Sequence, residues 1–403
     1  MTSTTKISIS RRSLLRGSAA TLAGLSVSSF AIGKTAAAVA ENTADLPDFT
    51  ASNSPFQIPT QDAPLMLHFN ENPIGMSLKA QKAAIQAIPM ANRYADPAVP
   101  PLRKLAADYH KVKEDNILFS AGSSDAIRIC IAAHASPETQ FVIPDLTYGD
   151  GEFFANAYGL KITKIPSNPN NWAIDLNGMQ SAVTDYSGPS IVYLVNPNNP
   201  TSTIVNSAEV ESWIKSKPKG TIFIIDEAYA EFVNNPDYRS VDHLIAEGLD
   251  NVLLLKTFSK IHAMAGMRVG YTVATAEKIK QLSIYVEDDA LTLSYPSILA
   301  ATESMKDKPF LQFSKKSNDV AKSIYIDLLK ELQLEYLPSE TNFIFHRIPG
   351  ELATFKQRMQ EQHILVGRAF PPADGWCRMS IGTPDEMIYV TEKMREFRKK
   401  GWV

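Results

Sequence analysis

The stretch Val252-Leu253-Leu254-Leu255-Lys256-Thr257-Phe258-Ser259-Lys260-Ile261-His262-Ala263-Met264-Ala265-Gly266-Met267-Arg268 decides how this chain is read. Its opening, 252–255, is apolar at successive positions, the pattern of a strand buried on both faces of a parallel sheet. At the end of that strand stand two hydroxyls, Thr257 and Ser259, then Lys260, then Arg268 eight positions beyond the lysine. An amine there can form a Schiff base with an aldehyde. The hydroxyls and the guanidinium can hold a phosphate beside it. A surface lysine that merely follows a strand fits the same letters, so the decision rests on what the other strand ends carry.

Working outward, short apolar runs recur at 117–119, 140–143, 161–165, 191–195, 222–225, 252–255 and 269–273. Helical patterns lie between most of them, such as 125–134 and 209–215. The alternation predicts an α/β fold, a mostly parallel seven-stranded sheet with helices on its faces, in a large domain over 92–295. Such sheets bind ligands at the carboxyl ends of their strands. After Pro296 the pattern changes. A long amphipathic helix is expected over 309–332, strand-like runs at 343–346, 364–366 and 377–381, and a last helix over 384–399. That helix opens on Pro384 and ends among basic residues, as the macrodipole prefers. We read 296–403 as a smaller α+β domain to which an arm over 41–91 contributes. The arm is dotted with Pro47, Pro55 and Pro59, then offers a short strand near Leu65-Met66-Leu67 and a helix over 78–88.

Residues 1–40 read as a separate segment. Ser10-Arg11-Arg12-Ser13-Leu14-Leu15-Arg16 sets a twin arginine before two leucines, and a weakly apolar Ala/Ser/Gly-rich stretch follows over 17–32. Small-residue cleavage sites come next, Ala36-Ala37-Ala38 or Ala38-Val39-Ala40. The three-part pattern resembles a twin-arginine export signal, and a disordered basic tail is the plainer alternative. The expectation is a bacterial periplasmic or exported protein handed to the twin-arginine export machinery. No apolar run is long enough to span a bilayer, so stable membrane insertion is not expected. The formal charge of −3 includes five basic and no acidic residues in the first forty, which leaves −8 once those five are removed. That balance disfavours nucleic acid as a partner. Two cysteines, Cys130 and Cys377, are too few for a disulfide framework, and a bridge between them is not expected. No His/Cys cluster has metal-ligand spacing, so no metal is expected.

Each remaining motif falls at the end of an expected strand. Ser120-Ala121-Gly122-Ser123-Ser124-Asp125 closes one strand and opens a helix. Small residues there let backbone N–H groups approach an anion, although Ser-Ser-Asp is equally a plain helix cap. Tyr148, in Asp145-Leu146-Thr147-Tyr148-Gly149, suits stacking on a planar ring or ordinary packing. Asn196-Pro197-Asn198-Asn199-Pro200-Thr201 makes a stiff turn that aims an amide over the sheet edge. In Ile225-Asp226-Glu227-Ala228-Tyr229 an aspartate directly follows a buried run. Buried there, Asp226 needs a cation, such as a protonated pyridine nitrogen, or it serves as a helix cap.

Taken together, these strand ends resemble a complete pyridoxal phosphate site. The chain is similar to the fold-type I, class I/II aminotransferases, and within them to the histidinol-phosphate aminotransferase branch. The motifs that carry the resemblance are Phe69-Asn70-Glu71-Asn72-Pro73, Asn92-Arg93-Tyr94, the turn over 196–201, the run over 226–229, Ser259-Lys260, Gly266-Met267-Arg268-Val269-Gly270 and Cys377-Arg378-Met379-Ser380-Ile381-Gly382-Thr383. They cover about 65–400.

The resemblance implies pyridoxal 5'-phosphate as cofactor and ping-pong transfer of an amino group between an L-amino acid and a 2-oxo acid. It implies that Lys260 forms the Schiff base and moves the Cα proton, and that Asp226 pairs with the pyridine nitrogen. Asn199 and Tyr229 would bind the ring hydroxyl, and Tyr148 would stack on the ring. Ser123, Ser124, Thr257, Ser259 and Arg268 would hold the phosphate. Tyr94 would reach the phosphate of the neighbouring subunit, which makes a homodimer with shared active sites the expected unit. Arg378 would pair with the substrate α-carboxylate, with Asn342 nearby. Three positions depart from the branch: Ile74 where tyrosine is typical, Ser202 where glycine is usual, and Arg368 displaced by one from a second phosphate-binding arginine. The expected substrate is therefore an ordinary amino acid rather than histidinol phosphate. A racemase, cyclase or oxidase using the same cofactor, and a non-catalytic binding protein on the same scaffold, are the alternatives.

Overall fold

The computed structural model describes residues 56–286 and 288–403. The expected export signal, the first part of the arm and Glu287 lie outside the described residues. After a short strand β1 (Leu65–Leu67) come the seven strands expected from the apolar runs: β2 (Ile117–Ser120), β3 (Gln140–Pro144), β4 (Lys161–Ile165), β5 (Ser190–Val195), β6 (Thr221–Asp226), β7 (Val252–Thr257) and β8 (Gly270–Val273). They form one sheet in the order β2-β8-β7-β6-β5-β3-β4. All neighbours are parallel except β8, which runs antiparallel to both β2 and β7.

The sheet is covered on both sides because its central strands are apolar at successive positions over 191–195, 222–225 and 252–255, and alternate side chains point to opposite faces. Val192, Leu194, Ile225 and Leu254 enter one core, while Ile191, Tyr193, Ile224 and Leu255 enter the other. The helix Ser123–His134 covers the second face through Ile127 and Ile131. The helices Val99–His110 and Ser207–Lys215 cover the first through Leu102 and Ile214.

A third core joins β9 (Phe343–Arg347), β10 (Ile364–Val366) and β11 (Trp376–Ser380) to the long helix Lys308–Glu331 and the last helix Pro384–Lys399. β9 pairs antiparallel with β11, and β1 pairs parallel with β10. The last helix starts on a capping box in which Thr383 and Glu386 satisfy each other's backbone N–H.

The described part of the arm divides between the cores. Leu65 and Leu67 lie in this third core, whereas Ala80 and Ala84 of the helix Leu78–Ala87 lie in the first, where small side chains allow close packing on the helix Tyr295–Lys306. Among the described residues no helix is long and apolar enough to cross a membrane.

Candidate active site

The reading of 252–255 as a strand between parallel neighbours is right on one side only: β7 is parallel to β6 and antiparallel to β8. The reason is the short connection over 258–269, which has no crossover helix and must return the chain beside itself. That return has a chemical consequence. Lys260 has just left β7 and Arg268 is about to enter β8, so both stand at the same edge of the sheet.

Arg268 adopts left-handed backbone, φ 55°. Its Nη1 donates to Ala265 O at 2.9 Å and its Nη2 to Ala121 O at 3.1 Å. This places the guanidinium beside Gly122, which caps the helix Ser123–His134 at φ 87°. A Cβ on Gly122 would collide with that guanidinium. One on Gly270 would sit 2.8 Å from Ser123 N. Two glycines therefore let an arginine and a helix N-terminus share one cradle, with Ser123, Ser124 and Ser259 on the same cavity wall.

The cavity has a volume of about 520 Å³. Across from the cradle, Asp226 ends β6 and is 2% exposed. Its Oδ2 accepts from Tyr193 Oη at 3.1 Å and its Oδ1 from Ala228 N at 3.0 Å. Burial pushes its pKa up to about 6 despite those donors. Tyr148 donates its phenol proton to Asp150 Oδ2 at 2.9 Å, and burial together with Asp150 raises the phenol's pKa. Tyr229 Oη accepts from Asn70 Nδ2 at 3.2 Å. Lys260 Nζ donates to Asn70 O at 3.2 Å and lies 5.6 Å from the centre of the Tyr229 ring.

The opposite wall comes from the smaller core. Arg378, on β11, is 8% exposed, and its Nη1 donates to Asn199 Oδ1 at 2.7 Å. Its Nη2 donates to His68 O at 2.6 Å, while its buried Nε has no hydrogen-bond partner. Burial lowers the pKa of this guanidinium.

Of the residues singled out from sequence, Lys260, Asp226, Tyr229, Ser123, Ser124, Tyr148, Asn199, Ser259, Arg268 and Arg378 line this one cavity. Three stand elsewhere. Thr257 is behind the wall, with its Oγ1 2.9 Å from Ser259 Oγ, and reaches the cavity only through that serine. Asn342 donates to Asn70 O at 3.0 Å and Glu71 O at 3.2 Å, so it braces the arm rather than facing the cavity. Tyr94 is 72% exposed and lies outside the cavity of its own chain.

Asp150, His68, Lys356 and Phe370 also line the cavity and were not singled out. Asp150 had a signal, a carboxylate two residues after a candidate stacking tyrosine. Lys356 had none, since one lysine within the helix Leu352–Gln360 reads as solvated surface.

The profile of the family described as aminotransferase class I and II matches residues 64–394. The chain belongs to that family, and its activity is that of a pyridoxal phosphate-dependent aminotransferase. Within the family it falls with the histidinol-phosphate aminotransferase-like branch. The histidinol-phosphate aminotransferase of Moorella thermoacetica is 32% identical over 333 residues, covering 82% of this chain and 85% of that protein. A solved structure from Erwinia carotovora atroseptica, assigned provisionally as a histidinol-phosphate aminotransferase, is 53% identical with a TM-score of 0.85, covering 86% of this chain and 100% of that one. The histidinol-phosphate aminotransferase of Sinorhizobium meliloti, solved with pyridoxal 5'-phosphate, shares the fold at TM-score 0.74 and 23% identity, over 83% of this chain and 91% of that one.

The residues present fit the cofactor. Asp226 is a buried carboxylate with no cationic side chain within salt-bridge distance among the described residues, which a pyridinium would complete. The cradle at Gly122 and Gly270 is one that any Cβ would fill.

Proposed function

We propose that Lys260 is the residue that carries the cofactor and that the site moves an amino group between an L-amino acid and a 2-oxo acid by a ping-pong path. The observation that carries this reading is a lysine amine with no carboxylate partner, in one cavity with a buried, uncompensated aspartate and a half-satisfied buried arginine.

Ser123, Ser124, Ser259 and Arg268 would hold the phosphate, Asp226 the pyridine nitrogen, Asn199 and Tyr229 the ring hydroxyl, and Tyr148 the ring face. Bound there, the cofactor supplies an electron sink that makes the Cα proton of an amino acid removable. Arg378 holds the α-carboxylate through its two nitrogens and so fixes the Cα–H bond. Lys260 Nζ takes the Cα proton and returns it, its position set by the carbonyl of Asn70. Tyr148 is kept protonated by Asp150, which fixes the face of its ring. The substrate we favour is an amino acid bearing the α-carboxylate that Arg378 matches, since Ile74 and the displaced Arg368 depart from the pattern of the branch. Mixing the purified holoprotein with single amino acids tests this. Stoichiometric loss of the cofactor's yellow colour supports it, and oxygen uptake or loss of optical rotation in its place refutes it.

The protein works as a homodimer in which Tyr94, exposed on its own chain, reaches the partner's phosphate cradle. It is also exported to the periplasm through the twin-arginine route, folded and loaded with cofactor. The pattern over 10–40 supports that route, and a cell fraction showing the protein confined to the cytoplasm would refute it.

A further inference from the structure

We infer that Tyr193 is a positioning residue for the reaction: its phenol, which stands behind the cavity wall, aims Asp226 at the cofactor's ring nitrogen and keeps that carboxylate ionised, and Gly151 is a glycine so that the phenol can reach. The inference rests on the reading of Asp226 given above and deepens it.

The first observation is where Tyr193 stands. It lies on β5, between β3 and β6, and is fully buried. Val195 is in register with Asp226, so Tyr193, two residues earlier, shares a sheet face with the aspartate. Its Oη donates to Asp226 Oδ2 at 3.1 Å, while Asp226 Oδ1 accepts from Ala228 N at 3.0 Å. One protein donor on each oxygen pins the carboxylate plane, and each oxygen keeps a lone-pair site for a donor in the cavity. A neutral donor does this without taking the ion pair. A lysine or arginine in its place would complete that pair itself and leave the pyridinium nothing to bind.

The second observation is the room made for the ring. On the helix Gly149–Ala157, a Cβ on Gly151 would sit 2.5 Å from Tyr193 Cδ1 and 2.7 Å from Cε1. Gly151 does not adopt left-handed backbone, and glycine is a poor helix former, so the backbone does not ask for it. The ring does. On β3, the Phe141 ring lies 6.0 Å from that of Tyr193, with 23° between their planes. A phenylalanine would fill the same space, so the hydroxyl is the part that serves Asp226.

The charges around the pair agree with this role. Burial raises the pKa of Asp226 and Asp150 adds to the rise, while the Ala228 N–H, the Tyr193 phenol and Lys256 oppose it. Burial and then Asp226 hold the phenol's own pKa well above its ordinary value, so Tyr193 stays a donor.

The test begins with the affinity of the apoprotein for pyridoxal 5'-phosphate and for its 1-deaza analogue, in which carbon replaces the ring nitrogen. Both carry the phosphate, the aldehyde and the ring hydroxyl, so the ratio of affinities reads the contact at nitrogen. The parent should prefer the natural cofactor. Tyr193→Phe should cut that preference by about tenfold, the scale of one hydrogen bond to a charged group, with little change for the analogue. Gly151→Ala, which displaces the ring, should cut it too. A merely structural role would weaken both ligands alike. The second arm is denaturant unfolding of the apoprotein. Loss of a donor to the ionised form raises the folded pKa of Asp226 further above the unfolded one. The cost of Tyr193→Phe should therefore be smallest near pH 4 and grow by about tenfold in the folding equilibrium constant by pH 8, and that growth should vanish in an Asp226→Asn background. A preference that survives Tyr193→Phe overturns the inference and leaves the reading of Asp226 intact. If the parent itself binds both ligands alike, the reading of Asp226 fails, and unfolding alone decides whether Tyr193 holds the carboxylate: a cost that grows with pH and needs Asp226 upholds it, and a cost independent of pH overturns it.

Discussion

At the scale of single residues, the site is built from groups that cost stability until a ligand arrives. Asp226 is the clearest. Its folded pKa, raised from 3.8 to about 6 by burial, lies above the unfolded one, so the apoprotein binds this proton more tightly folded than unfolded. The stability it contributes is present at low pH and is lost as pH rises from below 4 through about 6. The shift corresponds to about 3 kcal/mol. In the apoprotein, Asp226→Asn should therefore be more stable than the parent at pH 8, by up to about 3 kcal/mol, with the gap closing toward pH 4. Denaturant unfolding at several pH values checks this, and a gap that does not change with pH contradicts it. In the holoprotein the same change should weaken cofactor retention, because the pyridinium loses its counter-charge. Asp226 was legible in sequence because an acid directly after a buried apolar run is rare and needs a partner. Asp150 left only the weak signal of a carboxylate two residues after Tyr148, and Lys356 left none, because only the fold brings the interior of the helix Leu352–Gln360 to this cavity.

At the scale of elements, two devices hold the strand ends. One is the close contact of β8 with the start of the helix Ser123–His134. Gly270→Ala puts a Cβ 2.6 Å from Gly122 C, so the backbone must part, at a cost of about 1–3 kcal/mol. Cofactor affinity should fall with it, measured by fluorescence titration of the apoprotein. A variant with normal affinity would show that the cradle does not depend on this approach. The other device lies behind the site. Lys256, on β7, is buried with Glu231 at 2.7 Å and Glu227 at 3.8 Å, both on the segment that follows β6. Burial alone would lower the lysine's pKa, but the two glutamates raise it overall, so it stays charged. Lys256→Met leaves buried carboxylates without a cation and should cost about 3–5 kcal/mol. A melting temperature close to the parent's would contradict that. All seven sheet strands were readable from sequence: most are buried runs with no polar alternation to misread, and the edge strand β4, with Lys161 and Lys164 exposed, kept enough apolar positions to be found. The antiparallel turn of β8 was not, because direction is set by the length of a connection that itself reads as loop.

At the scale of the whole molecule, one wall of the cavity belongs to the sheet edge and the other to the smaller core, joined through the arm. Asn70 links them through three groups, to Tyr229 by its amide at 3.2 Å, to Ser380 by its backbone N–H at 2.8 Å and to Lys260 by its carbonyl, and Arg378 ties the walls directly through Asn199. The fold class and family were legible because six of the seven motifs fall at strand ends, only Asn92-Arg93-Tyr94 standing in a turn after the helix 78–87. The way the arm divides between cores was not, since helix 78–87 is amphipathic and names no partner. Sedimentation of the holoprotein should give about twice the mass of one chain, and Tyr94→Phe should lower cofactor affinity while leaving that mass unchanged. A monomer with full activity would remove Tyr94 from the site. The most direct measurement is reduction of the intact holoprotein with borohydride, followed by peptide mapping. The expected result is cofactor fixed covalently on the peptide that contains Lys260, at that residue. Label on Lys256, Lys356 or any other lysine, or no label at all, would contradict it.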